Sequence, residues 1–174
     1  MSEPRLDPLA QYAYLVAARA PIFDRLRGLT PEQYRQSFPF GLGTLRRTMH
    51  HLAGTEWFLV GQIAGGPAGE YPFGAEANPD AETLERRWRA LEPQTRRVLE
   101  TVDDWARPVE YVVTIPSRRR YRIHSTTLGI FVQFCYHEIH HRAQAMAMLR
   151  QLGAPVETID FLWLAGAPVE VEEP

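Results

Sequence analysis

The spacing of apolar and polar residues along the chain predicts a protein that is almost entirely helical. Apolar residues recur every three to four positions through four long stretches, as they do on the buried face of an amphipathic helix. These stretches run from Asp7 to about Gly28, from about Thr44 to Ala64, from Pro79 or Asp80 to about Trp105, and from Ser125, Thr126 or Thr127 to Leu152. Four long helices with short connections favour a helix bundle.

Capping residues and prolines support these boundaries. Asp7 and Pro8 place an N-cap and a first-turn proline at the start of the first helix. Residues 30–33, Thr-Pro-Glu-Gln, have the sequence of a capping box and predict a short helix. Pro93 lies inside the third long helix, where its ring and missing N–H are expected to kink the helix or split it.

The segment from Val109 to His124 departs from the helical pattern and predicts a β-hairpin around Pro116-Ser117. Its run of arginines is interpreted as a solvent-exposed turn in preference to an anion-binding loop. The expected fold class is therefore all-α, a four-helix bundle with a small β-hairpin before the last long helix. We expect one domain over residues 1–174, with residues 167–174 as a flexible tail.

Composition and charge exclude several classes of protein. Of the 174 residues, 45% are hydrophobic and 23% are charged, as in an ordinary globular domain. The sequence has neither the apolar run of roughly 20 residues that a membrane span requires nor a signal peptide at its start. The net charge is −2, and the single cysteine, Cys135, is expected to be buried and inert. These features predict a cytoplasmic protein that binds neither nucleic acid nor membrane.

Three of the six histidines lie within residues 137–141. On a helix with about 100° between residues, His137 and His141 fall within the apolar stripe that begins at Ile130, one turn apart. His140 falls on the polar side of the same helix. Two imidazoles in an apolar stripe need polar partners, and one metal ion would satisfy both. Hydrogen bonds within the core are the alternative.

A third metal ligand would come from a facing helix, where His50 and His51 are adjacent. Periodicity leaves this choice open, because the two histidines flank the apolar stripe of the second long helix at comparable angles. Glu56 lies within that stripe. It is either a buried hydrogen-bond partner or a side chain that reaches solvent where two helices cross.

Two motifs around these histidines are similar to those of a known family. Residues 51–56, His-Leu-Ala-Gly-Thr-Glu, and residues 137–144, His-Glu-Ile-His-His-Arg-Ala-Gln, resemble H-L-x-x-x-E/D and H-x-x-H-H-R-G-Q of the DinB/YfiT-like family of small four-helix metal-binding proteins. The hairpin before the last long helix also agrees with that family. The resemblance implies that the metal ligands are His51, His137 and His141.

Three histidine ligands would leave one position of the ion open, which is the arrangement of catalytic sites, and they suit Zn²⁺ or Ni²⁺. The resemblance further implies a thiol-dependent transferase acting in stress response or detoxification. In such an enzyme the ion holds a low-molecular-weight thiol, such as bacillithiol, mycothiol or glutathione, as the thiolate that attacks an electrophilic small-molecule substrate. Arg142, or an arginine at the mouth of the site, is a candidate for binding the carboxylates of that thiol. The resemblance also suggests a homodimer.

Two other functions compete with the transferase. Residues 137–141 also match the H-E-x-x-H motif of zinc proteases, with Glu138 as the general base. The extended protease pattern fails, because it would require glycine at Gln144 and histidine at Ala147. The third possibility is a non-enzymatic bundle, in which a metal ties helices together or the protein serves as a binding module.

Overall fold

The computed structural model describes residues 7–66, 70–73, 80–114 and 117–165, which form six helices and one two-stranded sheet. The strands are β1 (Pro108–Thr114) and β2 (Arg120–Thr126). The helices are α1 (Pro8–Arg27), α2 (Pro31–Arg35), α3 (Leu45–Ile63), α4 (Ala81–Glu100), α5 (Thr127–Gln151) and α6 (Phe161–Ala165). The predicted helical bundle with a hairpin before the last long helix is confirmed. The predicted tail, residues 167–174, lies outside the described residues.

Side-chain caps fix the helix starts close to where the sequence predicts them. The Asp7 carboxylate accepts a backbone N–H of the first turn of α1 at 2.9 Å. Thr30 and Gln33 form the complete capping box of α2. The Thr126 hydroxyl accepts the Gly129 N–H at 3.1 Å at the start of α5. Each cap satisfies a backbone donor that the helix itself leaves unpaired.

Helix α4 differs from its prediction in two respects. It ends at Glu100 and not near Trp105, because the chain leaves the helix at Thr101, whose hydroxyl donates to the Arg97 carbonyl at 2.9 Å. Trp105 still packs edge-on against a phenylalanine of α5 from the following loop. Pro93 does not split the helix. Its exposed position explains why, since the carbonyl left without an N–H partner can be hydrated.

The hairpin is antiparallel, with a register that runs from Pro108 opposite Thr126 to Thr114 opposite Arg120. Its base is joined to the start of α5, where the Thr127 N–H donates to the carbonyl of Arg107 at 3.0 Å. The described arginines of the turn are exposed, as predicted. Residues 115 and 116 lie outside the described residues.

The core lies between the four long helices, and α3 packs along the length of α5 while α1 packs against α4 and α5. The largest fully buried side chains include Trp88, Tyr12, Phe131 and Phe134. Among the helices described, none combines the length and the hydrophobicity needed to cross a lipid bilayer. The packing of α3 on α5 brings the two histidine-bearing segments face to face.

Candidate metal centre

The buried face of α5 is rotated away from the histidines by part of a turn. Its buried polar residues are Thr127, Glu138 and Arg142, and its buried apolar residues share the same arc: Ile130, Phe131, Phe134, Cys135, Ala145, Met148 and Leu149. His137 and His141 are half-buried at the edge of this arc. The helical spacing therefore overestimates the burial of the two histidines. It predicts an apolar stripe centred on them, whereas the buried arc is centred nearer Glu138.

His51, His137 and His141 meet between α3 and α5. One ring nitrogen from each lies within 4.8 Å of the other two. The Nε2 atoms of His51 and His137 are 3.0 Å apart, and the ring centroids of His137 and His141 are 4.5 Å apart. The structure thus brings together the three histidines that the family resemblance implies.

The neighbouring histidines face elsewhere. His50 packs edge-on against Tyr71 and Phe73, with ring centroids 6.1 and 6.2 Å away. His140 is exposed, and its Nε2 contacts the Gln144 amide at 3.0 Å. The fold therefore places His51, and not His50, in the cluster, a choice that periodicity left open. That His140 is not a ligand stays a prediction.

The three histidines fit a divalent ion. Tetrahedral coordination at about 2.1 Å from each nitrogen requires ligand nitrogens about 3.4 Å apart. One pair is 3.0 Å apart and all three lie within 4.8 Å, so small rotations of half-buried rings would complete the set. Among the described residues, no carboxylate or thiolate joins the group. Three neutral ligands leave a coordination position for water or substrate.

Burial keeps these imidazoles in the form that binds metals. Burial is the main cause that lowers the pKa of both His51 and His137 to about 4, and the neighbouring His141 lowers them further. Burial also lowers the pKa of His141 itself. The rings are consequently neutral at pH 7, and metal binding does not have to displace protons from them.

Gln144 orients the third histidine. The Nδ1 atom of His141 is 2.9 Å from the Gln144 Oε1. Because a carbonyl oxygen only accepts, this contact assigns the proton to Nδ1 and leaves the Nε2 lone pair of His141 free. Metal-binding histidines commonly have such a partner on the second ring nitrogen.

Behind the histidines, a buried ionic network joins α1, α3, α4 and α5. Arg19 donates to Glu138 at 3.0 and 2.5 Å and pairs with Glu56 at 2.7 Å. Burial works to lower the pKa of Arg19, but the two carboxylates raise it well above its usual value. Glu56 is fully buried and accepts hydrogen bonds of 2.7–2.8 Å from three more side chains: Tyr12, Trp88 and Thr95. It is therefore a buried hydrogen-bond partner and does not reach solvent.

Glu138 and Arg142, which the sequence suggested as a general base and as a thiol-binding residue, are engaged by other side chains in the core. The carboxylate of Glu138 is held by Arg19 and buried, so it does not face the histidine cluster as a protease base would. Arg142 is also buried and donates to the Tyr14 hydroxyl at 2.6 Å, so the expectation that it binds a thiol at the site is wrong. Sequence reasoning missed Arg19, whose one signal is a single charge within the apolar segment 15–23.

His51 and His137 line a pocket of about 900 Å³ between α3, α5 and the hairpin. This volume lies in the range of small-molecule binding sites. Its walls are mostly aromatic and aliphatic, with contributions from Trp57, Phe58, Tyr71, Tyr111, Val112, Ile123 and Ile130. Sequence reasoning missed this pocket because its residues come from four separate segments that only the tertiary fold brings together.

Comparison with known proteins agrees with the fold and the motifs. The model of the DinB family matches residues 1–172. The chain is similar to a solved structure described as a DinB-like protein from Bacillus cereus ATCC 10987, with 18% sequence identity and a TM-score of 0.62. That similarity covers 85% of this chain and 94% of the other. No curated protein matches the chain. The chain belongs to the DinB family.

Proposed function

We propose that this protein binds one divalent metal ion, Zn²⁺ or Ni²⁺, through His51, His137 and His141, and that it is a metal-dependent thiol transferase. The observation that carries the proposal is the meeting of three neutral imidazoles within 4.8 Å of one another, two of which, His51 and His137, line a pocket large enough for a small molecule. A purely structural metal site has no need of such a pocket, because its ion is enclosed by four protein ligands.

Each residue of the site has a separate task. His51 and His137 offer their Nε2 atoms from opposite helices, and Gln144 holds the His141 ring so that its Nε2 is free. When bound, the ion would supply a positive charge that keeps a thiol in its thiolate form, ready to attack an electrophilic carbon. The aromatic walls would exclude water and position the electrophile beside the histidines.

The protease alternative loses its main support. Its general base would be Glu138, which Arg19 engages in the core, about 100° round α5 from His137. A carboxylate that already accepts two charged hydrogen bonds in the core is poorly placed to take a proton from water beside the ion.

Elemental analysis tests the metal site. Protein prepared without a histidine tag should hold about one equivalent of zinc or nickel, while His51→Ala and His137→Ala should hold almost none. His140→Ala is the matched control, because it removes an exposed imidazole from the same segment and should retain the metal. A wild-type protein that takes up no ion from excess Zn²⁺ or Ni²⁺ would remove the basis of the proposal.

Thiol transfer is tested separately on metal-loaded protein. Several low-molecular-weight thiols are combined with a panel of electrophiles, and conjugates are measured by mass spectrometry. Transfer should require the metal and fail in His51→Ala. If the wild type holds metal and yet forms no conjugate with any pair, the metal would instead serve to tie α3 to α5, as in the non-enzymatic alternative.

A further inference from the structure

The walls of the 900 Å³ pocket supply almost no charge for a ligand. Apart from histidines, the residues that line it are apolar, aromatic or uncharged polar. The tyrosines are neutral, since burial raises the pKa of both Tyr71 and Tyr111. Among the described residues no arginine lines the pocket.

The one exposed histidine of the lining is already paired. The Nδ1 of His124 lies 3.1 Å from a carboxylate oxygen of Glu110, and the other oxygen of Glu110 is bound by Arg122. Any positive charge on these two residues is therefore offset by an adjacent carboxylate. A carboxylate or sulfonate that entered the pocket would lose its water and meet no unpaired cation among the described residues of the pocket wall.

The pocket wall offers apolar aromatic surface in place of charge. Trp57 and Tyr71 pack edge-to-face at 5.3 Å, and Phe58 packs in the same way on Tyr111 at 5.6 Å. All four are incompletely buried and line the pocket, so part of their ring surface is available to a ligand. Such walls favour planar or aliphatic groups through burial and ring contacts.

We infer that the ligand of this pocket has an uncharged, aromatic or aliphatic body, and that a negative charge is accepted only on the atom that reaches the three histidines. This inference rests on the proposed function for the location of the site, and it narrows the class of substrate. Thiols and electrophiles that bear free carboxylates away from the reacting atom are poor ligands of this pocket. Neutral thiols and neutral aromatic electrophiles are its substrates.

A matched pair of fluorescent probes tests the ligand class without any metal. N-phenyl-1-naphthylamine is uncharged, and 8-anilino-1-naphthalenesulfonate has the same skeleton with one sulfonate. With metal-free protein, the neutral probe should bind at one site with a Kd at least tenfold lower than that of the sulfonate. Equal or tighter binding of the sulfonate would overturn the inference.

Charge variants at one residue of the pocket wall show whether the pocket itself causes the preference for the neutral probe over the sulfonate. Gln133 is exposed and lines the pocket one turn before His137, so the fold should tolerate its replacement. Gln133→Arg should lower the Kd of the sulfonate severalfold, and the matched Gln133→Glu should raise it. The Kd of the neutral probe should change less than twofold in both. If neither variant alters sulfonate binding, charge in the pocket does not govern the choice and the inference is wrong.

Thiols extend the test to the metal-loaded protein. Co²⁺-loaded protein is titrated with benzyl mercaptan and with 4-(mercaptomethyl)benzoic acid, and the thiolate-to-cobalt absorption is followed. Benzyl mercaptan should bind at least tenfold more tightly; equal affinity would contradict the inferred ligand class. Failure of the metal proposal is distinguishable, because it would appear as absent metal in elemental analysis while the probe titrations stay unchanged.

Discussion

Replacing Arg19 with methionine should destabilise the fold more than any change to a surface charge. Arg19 is 5% exposed, and its guanidinium pairs with two buried carboxylates, those of Glu56 and Glu138. Its guanidinium also lies 4.2 Å from the ring centre of Trp88. Methionine keeps much of the apolar volume of the side chain but removes the cation, so the loss is mainly electrostatic.

The size of the effect follows from what is left behind. Removing one partner of a buried ion pair costs about 3–5 kcal/mol, because the remaining charge is desolvated and unpaired. The two carboxylates are not counted twice, since one of them can take up a proton and hydrogen-bond to the other. A loss of about 3–5 kcal/mol is a large part of the typical stability of a domain, about 5–15 kcal/mol. The melting temperature should fall by about 6–20 °C.

Urea unfolding followed by circular dichroism measures this loss. The protein is kept in chelator, because a bound metal would add its own stabilisation. Arg122→Met is the matched control: it removes the same group from an ion pair whose side chains are 63% and 47% exposed. That variant should change the free energy of unfolding by less than about 1 kcal/mol.

The pH dependence gives a second criterion. Burial raises the pKa of Glu138, and Arg19 works against that rise. Without Arg19 the pKa of Glu138 should rise further above its unfolded value, so the folded variant binds more protons than the unfolded chain as the pH falls. The deficit of Arg19→Met should therefore shrink between pH 7.5 and 5.5. A deficit below about 1 kcal/mol at pH 7.5, or one that does not change with pH, would refute this account of the network.

Three further predictions concern the site and the single thiol. Gln144→Leu should weaken metal binding by about 10–100-fold in a chelator competition, because His141 loses the acceptor that orients it; unchanged affinity would contradict that role. Burial raises the pKa of Cys135 to about 12, so Ellman's reagent at pH 8 should label the thiol only after unfolding, and rapid labelling of folded protein would count against its burial. The pKa of His51 and of His137 is lowered from 6.5 to about 4, so the unfolded chain takes up protons first as the pH falls below 6.5. In urea titrations, the free energy of unfolding of metal-free protein should therefore fall between pH 6.5 and about pH 4. A variant with alanine in place of both His51 and His137 should lose less over the same pH range.

Local signals explain why so much of the fold could be predicted. Helix starts at Asp7, Thr30 and Thr126 depend on hydrogen bonds within three residues, so the sequence contains everything that fixes them. The predicted end of α4, about Trp105, lies beyond the observed end at Glu100, because the apolar periodicity continues past Thr101 although the helix does not. Homodimer formation and the cytoplasmic location remain predictions.

Long-range contacts explain what the sequence could not provide. Arg19 and Glu138 are separated by 119 positions, and nothing in either local pattern says that they meet. The pocket also depends on residues that are far apart in the sequence, since Trp57 lines it from a helix and Tyr111 from the hairpin. The three candidate ligands were accessible to sequence reasoning only in part, because spacing selected His137 and His141 and the family resemblance supplied His51.

The buried network also explains why the histidines are half-buried. Glu138 follows His137 directly and Arg142 follows His141, so each ionic residue lies about 100° round the helix from a histidine. The helix rotation that directs Glu138 to Arg19 in the core therefore leaves both histidines at the edge of the buried face, where His137 lines the pocket. The ionic pairs and the buried apolar residues of the same arc together favour this orientation of α5, which leaves His137 at the wall of the pocket.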